Sequence, residues 1–287
     1  MPEQVAIVET PRDAFQGLTR LIPTAEKIRY VSALLAAGVK HLDVGSFVSP
    51  KAVPQMADTR QVMEAVRGDK TVEYLALVAN ERGVERAADC GGFDTLGFPF
   101  SFSNEFQLRN TNKTVAETWP MVERMVALTE DHDCAFLVYV SMAFGNPYGE
   151  SWDEDALLSF LKTLVRTGIR HIALSDTVAV ARPEQIRQLV QRTRAEFQDV
   201  KWSVHLHGRP DDWRYGILAA LDAGCRRLDG ACGGLGGCPF AQDHLVSNVP
   251  TEGLAELCEA HGYECGLRKE ALLLCVRLAR DLQALYA

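Results

Sequence analysis

Eight short apolar runs, each followed by a longer stretch with helical periodicity, constrain the fold of this chain more than any other feature. The runs are QVAIVE (4–9), KHLDVG (40–45), VEYLALV (72–78), DTLGFPF (94–100), AFLVYVSM (135–142), RHIALSD (170–176), KWSVHLH (201–207) and RRLDGA (226–231). Between them lie amphipathic segments such as TAEKIRYVSALLAAG, ETWPMVERMVALTEDH and PEQIRQLVQRTRAEF. Several begin with Thr, Ser or Pro or end in Gly, as helix caps require. Eight β–α units over about 250 residues is the arithmetic of an α/β fold of the (β/α)8 TIM-barrel type, with parallel strands and functional groups at their C-terminal ends. The competing arrangement is an open doubly wound sheet, which carries a Gly-rich phosphate turn after its first strand. Here the first strand runs into TPRDAFQGL instead. With no linker, repeat or Pro/Gly/Ser-rich boundary, residues 1–287 are expected to form one barrel domain, the helices from about 253 packing onto it.

Composition narrows the partners. The net charge is −8 and no segment gathers Lys and Arg into a block, which argues against nucleic acid or an anionic membrane. An anionic ligand would need a local cationic site. The start, MPEQVAIVET, has no basic n-region, and no run approaches the ~18 apolar residues of a membrane span. Eight cysteines include no C-x-x-C pair, so reduced thiols in the cytoplasm are the expected state.

A barrel places its chemistry just after the strands, and polar residues do gather there. Arg12 and Asp13 follow the first strand, Asp43 and Ser46 the second, Ser141 and the turn GNPYG the fifth. Ser175 and Asp176 end the sixth, His205 and His207 the seventh, and GACGGLGGCPFAQD with Asn248 follows the eighth. His205 and His207, two apart on a strand, point to one face. Alone they fit hydrogen-bonded core histidines better than a chelate. With Asp13 and the Asn248 carboxamide they make a mixed nitrogen and oxygen set suited to Mg, Mn, Co or Fe, with positions left for water or substrate. Arg12 is either a rim ion pair or a fixed cation facing a developing oxyanion. Asp176 is readable as an ordinary helix N-cap. GGLGGCPFA (233–241) is neither a Walker loop nor a dinucleotide fingerprint. It reads equally as a surface loop with an incidental thiol or as a lid bringing Cys238 to the site.

Taken together, VETPRDAFQ, DVGSFVSPKAVPQMAD (43–58), SDT (175–177), VHLH (204–207) and GGLGGCPFA followed by SNVPTE (247–252) resemble the 3-hydroxy-3-methylglutaryl-CoA lyases, metal-dependent TIM-barrel lyases of the DRE-TIM metallolyase superfamily. The resemblance implies a divalent metal, Mg²⁺ or Mn²⁺, on Asp13, His205, His207 and Asn248. It implies catalytic roles for Arg12, Asp176, His205 and Cys238, and substrate contacts from Arg12, Gln16, Asp43, Ser46, Tyr139, Ser141 and Gly236. The implied reaction is retro-Claisen cleavage of a CoA thioester, 3-hydroxy-3-methylglutaryl-CoA, to acetyl-CoA and acetoacetate. The implied partners are this small acyl-CoA and a second copy in a homodimer or higher oligomer. Three positions depart from the family pattern: Asp43 stands where Glu is usual, Gly208-Arg209-Pro210 replaces the D-T-Y after the His pair, and Asn146 stands where Cys is frequent. All three touch the substrate end of the barrel, so a different 3-hydroxy-3-alkylglutaryl-CoA, or an aldolase reaction on a 2-oxo acid, is the alternative. An acyl-CoA or metal-binding barrel without turnover is the non-enzymatic one.

Overall fold

The computed structural model describes residues 2–237 and 246–287. Eight parallel strands form the barrel: β1 (Ala6–Glu9), β2 (His41–Ser46), β3 (Glu73–Leu77), β4 (Thr95–Ser101), β5 (Ala135–Ser141), β6 (His171–Asp176), β7 (Lys201–Gly208) and β8 (Arg227–Gly230). Each pairs with its sequence neighbour, and the ring closes through β1 with β8, Ala6 opposite Arg227 and Val8 opposite Asp229. The β7–β8 contact, Val204 opposite Leu228, completes it. All eight apolar runs became strands, with ends shifted by one or two residues, because each was short, branched-chain rich and punctuated by turn residues.

The crossovers are helical. They comprise α1 (Pro11–Gln16), α2 (Thr24–Ala36), α3 (Thr59–Val66), α4 (Glu81–Cys90), α5 (Asn104–Thr111), α6 (Val115–Asp131), α7 (Glu154–Arg166), α8 (Pro183–Glu196) and α9 (Trp213–Asp222). Their starts follow from local chemistry. Asn80, Ser103 and Asp153 accept hydrogen bonds from the first-turn amides of α4, α5 and α7, and Thr114 with Glu117 forms a reciprocal capping box on α6. After β8 come α10 (Thr251–Ala260), which packs on β1 and β8, and α11 (Lys269–Tyr286), which packs on α2. Two features are too short to show in a periodicity. Glu3–Gln4 pairs with Tyr263–Glu264 below the barrel, and Ser247–Asn248 adds antiparallel to the end of β7.

Strand alternation divides the apolar residues into two cores. Val8, Leu75, Leu137, Tyr139 and Ala173 fill the barrel interior with Leu77 against them, while the larger cluster lies between strands and helices. Gly97 serves the inner core, since a Cβ there would lie 2.9 Å from the Tyr139 ring. Among the described residues, no helix is long and apolar enough to cross a membrane.

Candidate active site

The C-terminal mouth of the barrel is built from three separate stretches of chain. The first turn of α1 carries Arg12 and Asp13, the end of β7 carries His205 and His207, and the antiparallel pairing of Asn248 with His207 brings in the carboxamide. Asp13, His205 and His207 each offer one ligand atom, all within 4.8 Å of one another. The imidazole centroids are 5.2 Å apart, which answers whether the two histidines converge.

The electrostatics leave Asp13 and His207 ready to donate lone pairs. Burial pushes Asp13 up, but Arg12, His205 and His207 outweigh it and hold the carboxyl at about 2. Burial, with the His205 charge beside it, pushes His207 down to about 4. His207 is therefore neutral at pH 7, and both its ring nitrogens are buried without a well-formed hydrogen bond, Asp13 Oδ2 lying 3.9 Å from Nε2. An orphaned buried imidazole costs free energy unless something fills its lone pair. The Asn248 amide nitrogen donates to Asp13 Oδ2 and to the Leu235 carbonyl, both at 2.8 Å. With that nitrogen committed, the amide oxygen is the atom left to ligate. One carboxylate, two imidazoles and an amide oxygen fit a divalent ion with open positions.

His205 has a partner that sequence reading missed. Asp229 on β8 accepts from or shares a proton with His205 Nδ1 at 3.1 Å, both groups being buried. Burial works against charge on His205, but Asp229 outweighs it and moves the ring's pKa up. A carboxylate on one imidazole nitrogen orients the other toward a metal. The signal was present in the register: Val204 opposite Leu228 sets His205 beside Asp229.

Arg12 stands against the same cluster. Its Nε and Nη2 reach Asp43 Oδ2 at 3.0 and 2.5 Å, its Nη1 reaches Asp13 Oδ1 at 2.9 Å, and Gln16 Oε1 lies 3.5 Å away. Burial opposes the charge, yet the two carboxylates hold the guanidinium above its ordinary range. Asp43 leaves Oδ1 buried and unpartnered, facing the interior beside Arg12. Tyr139 stacks edge-on to His205 at 5.7 Å. Gly236, at φ +86°, lies so close that a Cβ would sit 2.8 Å from Asn248 Nδ2 and 2.9 Å from Ala14 Cα, so only glycine lets this segment seat against Asn248 and α1. Cys238 follows it and lies outside the described residues.

Other expected residues have structural work. Ser46 Oγ binds the Leu77 carbonyl and the Val48 amide, and Ser141 is buried at the end of β5, where its carbonyl accepts from Ser101. Asp176 accepts from the amides of Val178 at 3.2 Å and Ala181 at 2.7 Å, so it holds the 177–181 loop rather than capping α8. Asn146 closes its own turn through Tyr148 and Glu150. Gly208 is explained by Trp213: a Cβ at 208 would lie 2.6 Å from the Trp213 Cβ.

A closed parallel barrel whose mouth holds a buried carboxylate and two imidazoles against a fixed guanidinium defines a class, the barrel enzymes with a candidate metal centre of oxygen and nitrogen ligands. Comparison with known proteins refines that class. The HMGL-like family profile matches residues 4–277. The 3-hydroxy-3-isohexenylglutaryl-CoA/hydroxy-methylglutaryl-CoA lyase of Pseudomonas aeruginosa is 32% identical over 277 residues, covering 95% of this chain and 91% of that protein. The (R)-citramalyl-CoA lyase of Chloroflexus aurantiacus is 31% identical over 299 residues, covering 99% and 94%. An HMG-CoA lyase from Acinetobacter baumannii, solved in complex with coenzyme A and 3-methylmalate, superposes with a TM-score of 0.89 at 31% identity, covering 98% and 91%. The chain belongs to the HMGL-like family, and it is a carbon–carbon lyase.

Proposed function

We propose that this lyase cleaves 3-hydroxy-3-methylglutaryl-CoA to acetyl-CoA and acetoacetate, with Mg²⁺ or Mn²⁺ on Asp13, His205, His207 and Asn248. The observation that carries the reading is the 2.9 Å contact between Arg12 and Asp13, which sets a fixed cation against the candidate metal ligands. A bound divalent ion supplies Lewis-acid polarisation and lowers the pKa of a coordinated hydroxyl. The residues supply the rest. Asp13 and the neutral His207 donate lone pairs, and Asp229 fixes the ring of His205. The substrate's tertiary hydroxyl gives its proton to Asp176, whose carboxyl burial shifts toward the protonated form, with release of its Ala181 bond. The C2–C3 electron pair then moves onto the thioester as an enolate, which the Arg12 guanidinium faces. Cys238 gives its proton to C2, and the proton held on Asp176 passes through water to the resulting thiolate, which returns both groups to their starting states.

The second reading is a related acyl-CoA of the 3-hydroxy-3-alkylglutaryl or citramalyl kind. Asp43 favours it, since the shorter arm draws Arg12 back by about a methylene length, as does the Gly208 backbone where the family carries a carboxylate. The test is cleavage by thiol-reduced protein, following both products with Mg²⁺, with Mn²⁺ and with EDTA. Metal-dependent acetoacetate supports the first reading. Cleavage of citramalyl-CoA at higher kcat/KM supports the second, and activity untouched by the chelator overturns both.

A further inference from the structure

The opposite end of the barrel is also polar. Residues two before those filling the interior point inward by strand alternation. Thus Glu73 lies below Leu75, His171 below Ala173 and Arg227 below Asp229, and His41, Thr95 and Lys201 occupy the same floor on β2, β4 and β7. Glu73 collects most of the donors. Arg227 Nη1 binds it at 2.8 Å, His41 Nδ1 at 2.6 Å and Thr95 Oγ1 at 2.8 Å.

Two buried atoms remain without partners, Arg227 Nη2 and His171 Nε2. The Arg227 side chain is 4% exposed and His171 is 5% exposed. Glu73 compensates one of the two fixed cations, and Lys201, which flanks His171 in register, has no ion-pair partner among the described residues. Burial, followed by the charges of Arg227 and Lys201, pushes His171 down to about 3, so its ring is neutral. A spare guanidinium N–H and the imidazole Nε2, a donor in the Nε2–H tautomer, are both buried and unpartnered, and they cost free energy unless an acceptor lies between them.

We propose that the barrel floor binds one small monovalent anion, chloride in solution, between Arg227 Nη2 and His171 Nε2, with Lys201 closing the site on the solvent side. The inward direction of both donors and their position among packed strands limit the ligand to a small dehydrated ion. The site is independent of the reaction at the other end of the barrel.

The probe is bromide. Crystals grown in sodium bromide are measured at the bromine edge, and thermal unfolding is followed in sodium chloride against sodium gluconate at matched ionic strength. The expected results are an anomalous peak in hydrogen-bonding reach of both nitrogens and a saturable rise in Tm of about 2–4 °C specific to halide. Lys201→Met, at an exposed position, should raise the half-saturating concentration several-fold, and His171→Phe should abolish the dependence. A water at that position with no anomalous signal overturns the proposal. So does a Tm that follows ionic strength equally in both salts, or a halide effect unchanged in both variants.

Discussion

The Asp229 carboxylate shows how one buried group can be worth more than its own hydrogen bond. It is not itself an expected ligand, yet from 3.1 Å it decides which nitrogen of His205 is available. Asp229→Asn is expected to lower divalent-metal affinity about 10–100-fold, read by competition with a chromophoric chelator, with activity restored by excess metal. A purely structural Asp229 would move Tm and leave that affinity in place. Arg12 has a different signature. Arg12→Lys keeps a charge but cannot span Asp43 and Asp13 together, so kcat should fall on the order of 10²–10³-fold while bound metal stays at the wild-type ratio. The convergence of His205 and His207 was legible from their spacing alone, because a strand leaves no other geometry. The role of Asp229 was not, because it depends on which strand lies beside β7.

The elements that carry these residues were legible to within a residue or two where periodicity was strong, and invisible where it was short. Ser247–Asn248 is a two-residue strand, so nothing in its own sequence announces that it pairs with β7 and delivers Asn248. Its position is fixed further back, at Glu9. That carboxylate accepts from the Cys232 amide at 2.9 Å, from Tyr30 at 3.2 Å and from Thr251 Oγ1, and so ties both ends of the 232–251 excursion to β1. Burial raises Glu9 from the ordinary 4.5 to about 7. Between pH 5 and 7 the folded chain therefore holds a proton that the unfolded chain has released, and stability falls as pH rises through that window. The shift amounts to roughly 3 kcal/mol at most, and Glu9→Gln should flatten this part of the denaturation profile. Trp213 offers a second element-level test. Gly208→Ala should destabilise by about 1–3 kcal/mol through overpacking, and in a double-mutant cycle the penalty should persist in a Trp213→Leu background, which keeps the clashing Cβ, and shrink in Trp213→Gly, which removes it.

At the scale of the whole molecule, the mouth of the barrel joins parts of the chain that only closure brings together. Asn248 and Asp13 are 235 residues apart in sequence and 2.8 Å apart in space, and His205 and His207 lie on the strand that completes the ring. The seam runs β7–β8–β1, so an ion on these ligands cross-links the start of the barrel to its end and has no counterpart in the unfolded chain. Its binding free energy is then folding free energy. At a free concentration of about 100 times Kd, Mg²⁺ or Mn²⁺ should add roughly 2.7 kcal/mol, seen as a Tm rise of several degrees. EDTA should return the wild type to its metal-free midpoint, and His207→Ala should give the same Tm with and without metal. A metal-dependent rise that survives His207→Ala would place the ion elsewhere and leave the orphaned imidazole unexplained. Loss of the rise together with loss of cleavage would tie the stability of the seam and the chemistry at its mouth to a single ion.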